Sequence, residues 1–206
     1  MNIRGLEMTA TLFTDIIKKG LTSGYAPAKT EEAREWYRNT TKKIKSINEK
    51  AFFDGDKSRI TGNPILGSMY MFFYYPKGSK DLPYFDTFPL VFPFEKTSNG
   101  FIGLNMHYLP PQFRANLMDG LYEYANNTKY DETTKLKMNY QLMKKAATLS
   151  FFEPCIKRYL SSHMRSKFMY VAPKEWDIAL FLPTERFKKA TTTEVWNASK
   201  KKIRGN

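Results

Sequence analysis

The chain has 206 residues, with 33 Lys or Arg against 20 Asp or Glu, a formal net charge of +13. Hydrophobic residues at 42% and aromatics at 16% supply a core, which excludes a chain disordered throughout. The lone cysteine, Cys155, excludes an intramolecular disulfide framework, and no apolar run approaches the roughly 20 residues that cross a bilayer.

Residues 1–20 lack the continuous apolar block of a signal peptide. The expectation is a soluble, basic domain of a reducing compartment. Leu12, Phe13, Ile16 and Ile17 fall on one helical face, with Gly20 as the predicted left-handed C-cap. Residues 21–28, with Gly24 and Pro27, read as a linker. A second helix starts near Thr30, a predicted N-cap followed by Glu31 and Glu32 in the positive first turn. It carries Ala33, Trp36, Tyr37, Ile44 and Ile47 opposite Arg34, Arg38, Lys42, Lys43 and Lys45. Asp54-Gly55-Asp56 is a turn signal.

The middle of the chain changes period. Residues 66–109 carry 3 basic and 3 acidic side chains, and 12 of the 44 residues are Phe or Tyr. Residues 67–76 read as a strand closed by Pro76. Residues 88–96 read as a second strand whose Pro89 and Pro93 lack ladder donors, so it is an edge or is bulged. Asn99-Gly100 signals a tight hairpin returning along 101–109. Tyr70, Phe72 and Tyr74 alternate with Phe73 and Tyr75, which means either a strand buried on both faces or a subunit interface.

The last part carries the charge: residues 110–206 hold 18 basic and 9 acidic side chains. Helices are predicted over 112–126 (Phe113, Leu117, Leu121, Tyr124), 132–149 (Leu136, Tyr140, Met143, Ala147) and 154–166. The last has Pro154 in its first turn and Ile156, Tyr159, Leu160 and His163 along it. Residues 167–173 and 175–183 read as short strands, and 193–203 as a final helix anchored by Val195 and Trp196. The fold class is α+β: a small curved antiparallel five-stranded sheet or SH3-like barrel with inserted and flanking helices. Residues 1–60 read as an N-terminal helical extension and 61–206 as the core domain, with a basic C-terminal half.

Catalytic and metal chemistry finds little footing. His107, His163 and Cys155 do not stand at metal-ligand spacing. His107 reads as a structural histidine, His163 as a surface residue and Cys155 as a buried, inert thiol. No phosphate-binding glycine loop is present. Asp54 with Asp56, and Asp131 with Glu132, are the pairs a metal-dependent nuclease would use, but Asp54-Gly55-Asp56 is more simply a turn. No enzyme, cofactor or metal is expected. The basic half is the stronger lead. Lys144, Lys145, Lys157, Arg158, Arg165, Lys167, Lys200, Lys201 and Lys202 are the candidate nucleic-acid-binding residues, facing the phosphate backbone of DNA. Tyr159 and Phe168 could stack on bases. No membrane contact is expected, because the core uses the apolar helix faces.

Two long segments carry a family resemblance. GSMYMFFYYPKGSKDLPYFDTFPLVFPF (67–94) and GFIGLNMHYLPPQFRANLM (100–118) resemble a block of small virion proteins of T-even-type tailed bacteriophages. PCIKRYL (154–160) and APKEWDIALFLPTERF (172–187) resemble the second half of the same family, for an overall span of about 32–200. The resemblance is to the DNA end protector, or head-completion, family. It implies a non-enzymatic protein of the virion, assembled in the host cytoplasm, that covers the termini of packaged DNA against host exonuclease. Other phage virion proteins are the expected partners, a homo-oligomer is left open, and the resemblance brings no catalytic residue. The alternative is a structural neck, tail or baseplate subunit of the same particles.

Overall fold

The computed structural model describes residues 11–27, 29–125 and 127–205. The N-terminal decapeptide, residue 126 of the predicted 112–126 helix and the Tyr124 side chain lie outside the described residues. Helix α1 (Thr11–Thr22) buries Phe13 and Ile16. Gly20 lies inside this helix rather than capping it: a Cβ there would sit 2.1 Å from the Tyr37 hydroxyl. The left-handed cap is Gly24 (φ +85°), and the Tyr25 amide closes the turn on the Gly20 carbonyl at 2.8 Å. Gly20 is therefore fixed by the close approach of α2 (Glu31–Lys42), which begins as predicted, with the Thr30 hydroxyl accepting from the Ala33 amide at 3.1 Å. A short helix α3 (Glu49–Asp54), capped by Asn48, buries Phe52 and Phe53.

Six strands form one sheet: β1 (Ile60–Thr61), β2 (Met69–Met71), β4 (Leu90–Thr97), β5 (Gly100–Asn105), β6 (Ile156–Leu160) and β7 (Phe168–Val171). Their order is β1-β7-β2-β4-β5-β6, with every pairing antiparallel. Two short strands, β3 (Phe85–Asp86) and β8 (Phe187–Lys188), make a separate ribbon. The α+β class holds. The sheet has six strands, not five, and is open, with β1 and β6 at its edges rather than closed into a barrel. Strand β4 is bulged and central. Pro93 pairs with Gly103 and Glu95 with Ile102, leaving Phe94 as the extra residue. The β4–β5 turn closes on Thr97 and Gly100, where a Cβ would lie 1.9 Å from the Tyr159 carbonyl oxygen of β6.

Strand alternation sorts the middle segment into two cores. Met69, Met71, Leu90, Phe92, Leu104, Met169 and Val171 face the main core. The helices cover that face with Phe13, Tyr37, Phe52, Leu117, Leu121, Met143 and Val195. These last three belong to α4 (Pro111–Ala125), α5 (Glu132–Ala147) and α7 (Thr192–Ile203), in that order after Leu117. Tyr70, Phe72, Tyr74, Val91, Phe101, Tyr159 and Phe168 form a second, aromatic core on the opposite face. The strand Met69–Met71 is thus buried on both sides, and Phe72 beyond it makes edge contacts at 5.2 Å to the Tyr159 ring and 5.0 Å to Phe168, while Phe73 is half-buried and Tyr75 is exposed.

Two predicted elements differ. Residues 154–166 are not helical: a 3-10 turn, Ser150–Cys155, runs into strand β6, and a second 3-10 turn, Ser161–His163, follows. Pairing with β5, from Gly100↔Leu160 to Leu104↔Ile156, outweighs the local helical spacing. Residues 175–183 form the short helix α6 (Trp176–Ala179) and a buried turn, not a strand. Among the described residues, no helix is long and apolar enough to cross a membrane.

Candidate nucleic-acid interface

The chain has 9 arginines and 24 lysines, and the fold treats them differently. Five arginines turn toward carboxylates. Arg34 pairs with Asp119 at 2.7 Å, Arg38 with Asp177 at 2.8 Å, and Arg59 with both Asp56 and Glu175. Arg114 pairs with Glu185, and Arg186 with Glu49. Planar guanidinium forks suit such partly buried pairs. Among the described residues, lysine ion pairs are Lys135–Glu132 at 2.7 Å and Lys202–Glu153 at a loose 3.9 Å. Of the carboxylates that pair with arginine or lysine among the described residues, six hold arginines and two hold lysines, so most lysines are left without a carboxylate.

The nine candidate cations fall into two sets. Lys144 and Lys145 occupy the last turn of α5, and Lys200, Lys201 and Lys202 the last turn of α7. Both helices pack on the Ser150–Cys155 turn, which leads directly to Lys157 on β6. Lys202 reaches Glu153 of that turn, and its charge acts on Lys157. These six lysines therefore flank one structural feature. The other three lie elsewhere along the sheet. Arg158, adjacent to Lys157 in a strand, projects to the other face and donates to Asn99 Oδ1 at 3.0 Å at the β4–β5 turn. Lys167 shares the rim of a cavity of about 490 Å³ with Lys96, and Arg165 shares one of about 520 Å³ with Lys50. Lys96 and Lys50 join the candidates only through tertiary folding, and no local pattern marks them.

A family model described as Phage T4 terminal DNA protecting protein matches residues 4–202. The chain belongs to this family. It is accordingly a bacteriophage protein of the DNA-end-protecting kind. No curated protein and no solved structure matches it.

In this phage protein the other singled-out residues have structural partners. Tyr159 and Phe168 are buried in the aromatic core, 3% and 6% exposed, so their rings are not open to bases. His107 is fully buried: Nδ1 lies 2.7 Å from Asp86 Oδ2 and Nε2 lies 3.0 Å from the Thr184 hydroxyl. His163 stands in a 3-10 turn, not on a helix, with Nδ1 3.0 Å from the Tyr75 carbonyl. Asp86 also accepts from the Phe88 amide and the Asn105 side chain. Burial pushes its carboxyl up, but the His107 charge and these hydrogen bonds outweigh it and hold it below the usual range. Cys155 is buried, and desolvation pushes its thiol well up.

One member of each acidic pair acts as a cap. Asp131 Oδ1 accepts from the Thr134 amide at the start of α5, and Glu132 holds Lys135. Asp56 caps the turn Lys57–Arg59 and binds Arg59. Among the described residues, no group of three or more metal-ligating side chains converges.

Proposed function

We propose that the chain binds the ends of linear double-stranded DNA through its lysine-rich face and shields them without catalysing a reaction. The observation that carries this reading is the division of charge: five arginines paired with carboxylates, lysines left largely without carboxylates around the Ser150–Cys155 turn. Lysines without counter-ions attract a polyanion and release its condensed cations on contact. Lys144, Lys145, Lys157, Lys200, Lys201 and Lys202 form the principal phosphate-contacting face. Arg158, Arg165 and Lys167 extend it along the sheet. On this reading the chain is a virion component, assembled in the host cytoplasm, that completes the head around the DNA terminus. Its contacts there are with other virion proteins or further copies of itself.

The test is digestion of linear duplex by a processive exonuclease in the presence of the purified chain, with circular duplex as competitor. Wild type slows digestion. The triple variant Lys144→Glu, Lys145→Glu, Lys201→Glu loses protection while its circular dichroism is unchanged. Digestion at the unprotected rate with wild type at saturating concentration overturns the reading.

A further inference from the structure

Lys157 is drawn out of water without a counter-ion. Its Nζ lies 4.0 Å from the centre of the Tyr108 ring, and no carboxylate or carbonyl among the described residues accepts a hydrogen bond from it. Desolvation lowers its pKa to about 8; Lys202 pulls the same way, while Cys155 and Glu153 oppose. An ammonium held in this state costs stability, a cost that an anionic ligand would remove.

The lysine opens into a cavity of about 250 Å³. Tyr84 lines the same cavity, and its hydroxyl has no hydrogen-bond partner among the described residues; burial raises its pKa, so it remains a donor. Asp86, the cavity's carboxylate, is already engaged by His107 and Asn105. The cavity therefore offers unused donors and no unused acceptor of negative charge.

We propose that this cavity holds the terminal phosphomonoester of a DNA strand, with Lys157 and Tyr84 donating to it from inside. The inference rests on the DNA-end reading and adds what distinguishes an end from the interior. A phosphomonoester carries about −1.5 to −2 charge near neutral pH and leads with three free oxygens. An internal phosphodiester carries a single charge and a sugar on either side, which keeps it out of a recess of this size. The lysines around the Ser150–Cys155 turn hold the duplex generally, and Lys202 links that face to the recess.

The experiment compares linear duplexes identical except for a 5′-phosphate, a 3′-phosphate or hydroxyl ends, by fluorescence anisotropy. Wild type binds one of the phosphorylated ends roughly tenfold or more tightly than the hydroxyl end, as a charge-assisted contact requires. Lys157→Met removes the preference: it binds phosphorylated and hydroxyl-ended duplexes equally, with the affinity for hydroxyl ends lowered only by the loss of one phosphate contact. It exchanges a desolvated ammonium for an apolar chain, so its thermal unfolding midpoint is no lower than that of wild type. Equal wild-type affinity for all three duplexes overturns the inference and leaves the DNA reading standing; this comparison needs no variant. A preference that survives in Lys157→Met also overturns it. Inorganic phosphate that raises the wild-type unfolding midpoint, with no discrimination among duplexes, identifies a free-phosphate site and overturns the assignment to DNA. Failure of wild type to bind any duplex refutes the DNA reading itself, and the inference falls with it.

Discussion

Arg114 gives the sharpest view of the inward half of the charge division. Its side chain is 1% exposed and donates from Nε to the Leu109 carbonyl at 2.7 Å and from Nη1 to the Leu180 carbonyl at 2.6 Å. Nη2 reaches the His107 carbonyl and Glu185. Burial alone would raise the Glu185 carboxyl, and the Arg114 charge holds it below the ordinary range. Arg114→Met keeps most of the volume but strands the Leu109 and Leu180 carbonyls and one carboxylate, while the His107 carbonyl keeps the Trp196 indole. Removing one partner of a buried pair costs about 3–5 kcal/mol. In a chain of this size each kcal/mol moves the midpoint by about 2–4 °C, so a fall of roughly 10 °C is expected in a calorimetric or circular-dichroism melt. Adding Glu185→Gln restores part of the loss, because the uncompensated charge goes. Lys200→Gln, Lys201→Gln, Lys202→Gln together move the midpoint by no more than about 2 °C, as surface changes do. A fall under about 3 °C for Arg114→Met, or an equal fall for the lysine variant, would refute the division into structural arginines and free lysines.

Two further outcomes follow from the core. Asp86, whose usual value is 3.8, titrates lower when folded, so its contribution is complete above that value and lost as pH falls through the folded one. Asp86→Asn is therefore less stable than wild type at pH 7, and the gap narrows below about pH 4 in urea titrations; a gap independent of pH contradicts this. Gly100→Ala drives a methyl into the Tyr159 carbonyl and lowers stability by about 2 kcal/mol or more, read as a drop in denaturation midpoint with unchanged slope. An unchanged midpoint contradicts the close β5–β6 approach.

What was legible in the sequence was local. The Thr30 cap of α2, the turn at Asn99, the periodicity of α4 and α5 and the final helix are each fixed by near neighbours, and each is present. The segment 154–166 misleads because Pro154, Ile156, Tyr159 and Leu160 also satisfy helical spacing. Its strand state comes from β5, some fifty residues away, which no local pattern shows. Residues 175–183 form a short run buried on all sides, where helix and strand leave the same apolar signature. The two-residue strands β1, β3 and β8 carry no signal of their own. For the candidate interface, charge type and chain position were readable. The grouping of six lysines about one turn, the recess behind Lys157, and the carboxylate partners of the arginines are products of tertiary packing.

The salt dependence of binding to linear duplex bears most directly on the lysine face. Six phosphate contacts at about 0.9 each give a slope of log affinity against log salt near −5, and Lys200→Gln, Lys201→Gln, Lys202→Gln makes it shallower by roughly three. A wild-type slope near zero, or a slope that the triple variant leaves unchanged, would contradict a DNA grip built on these side chains.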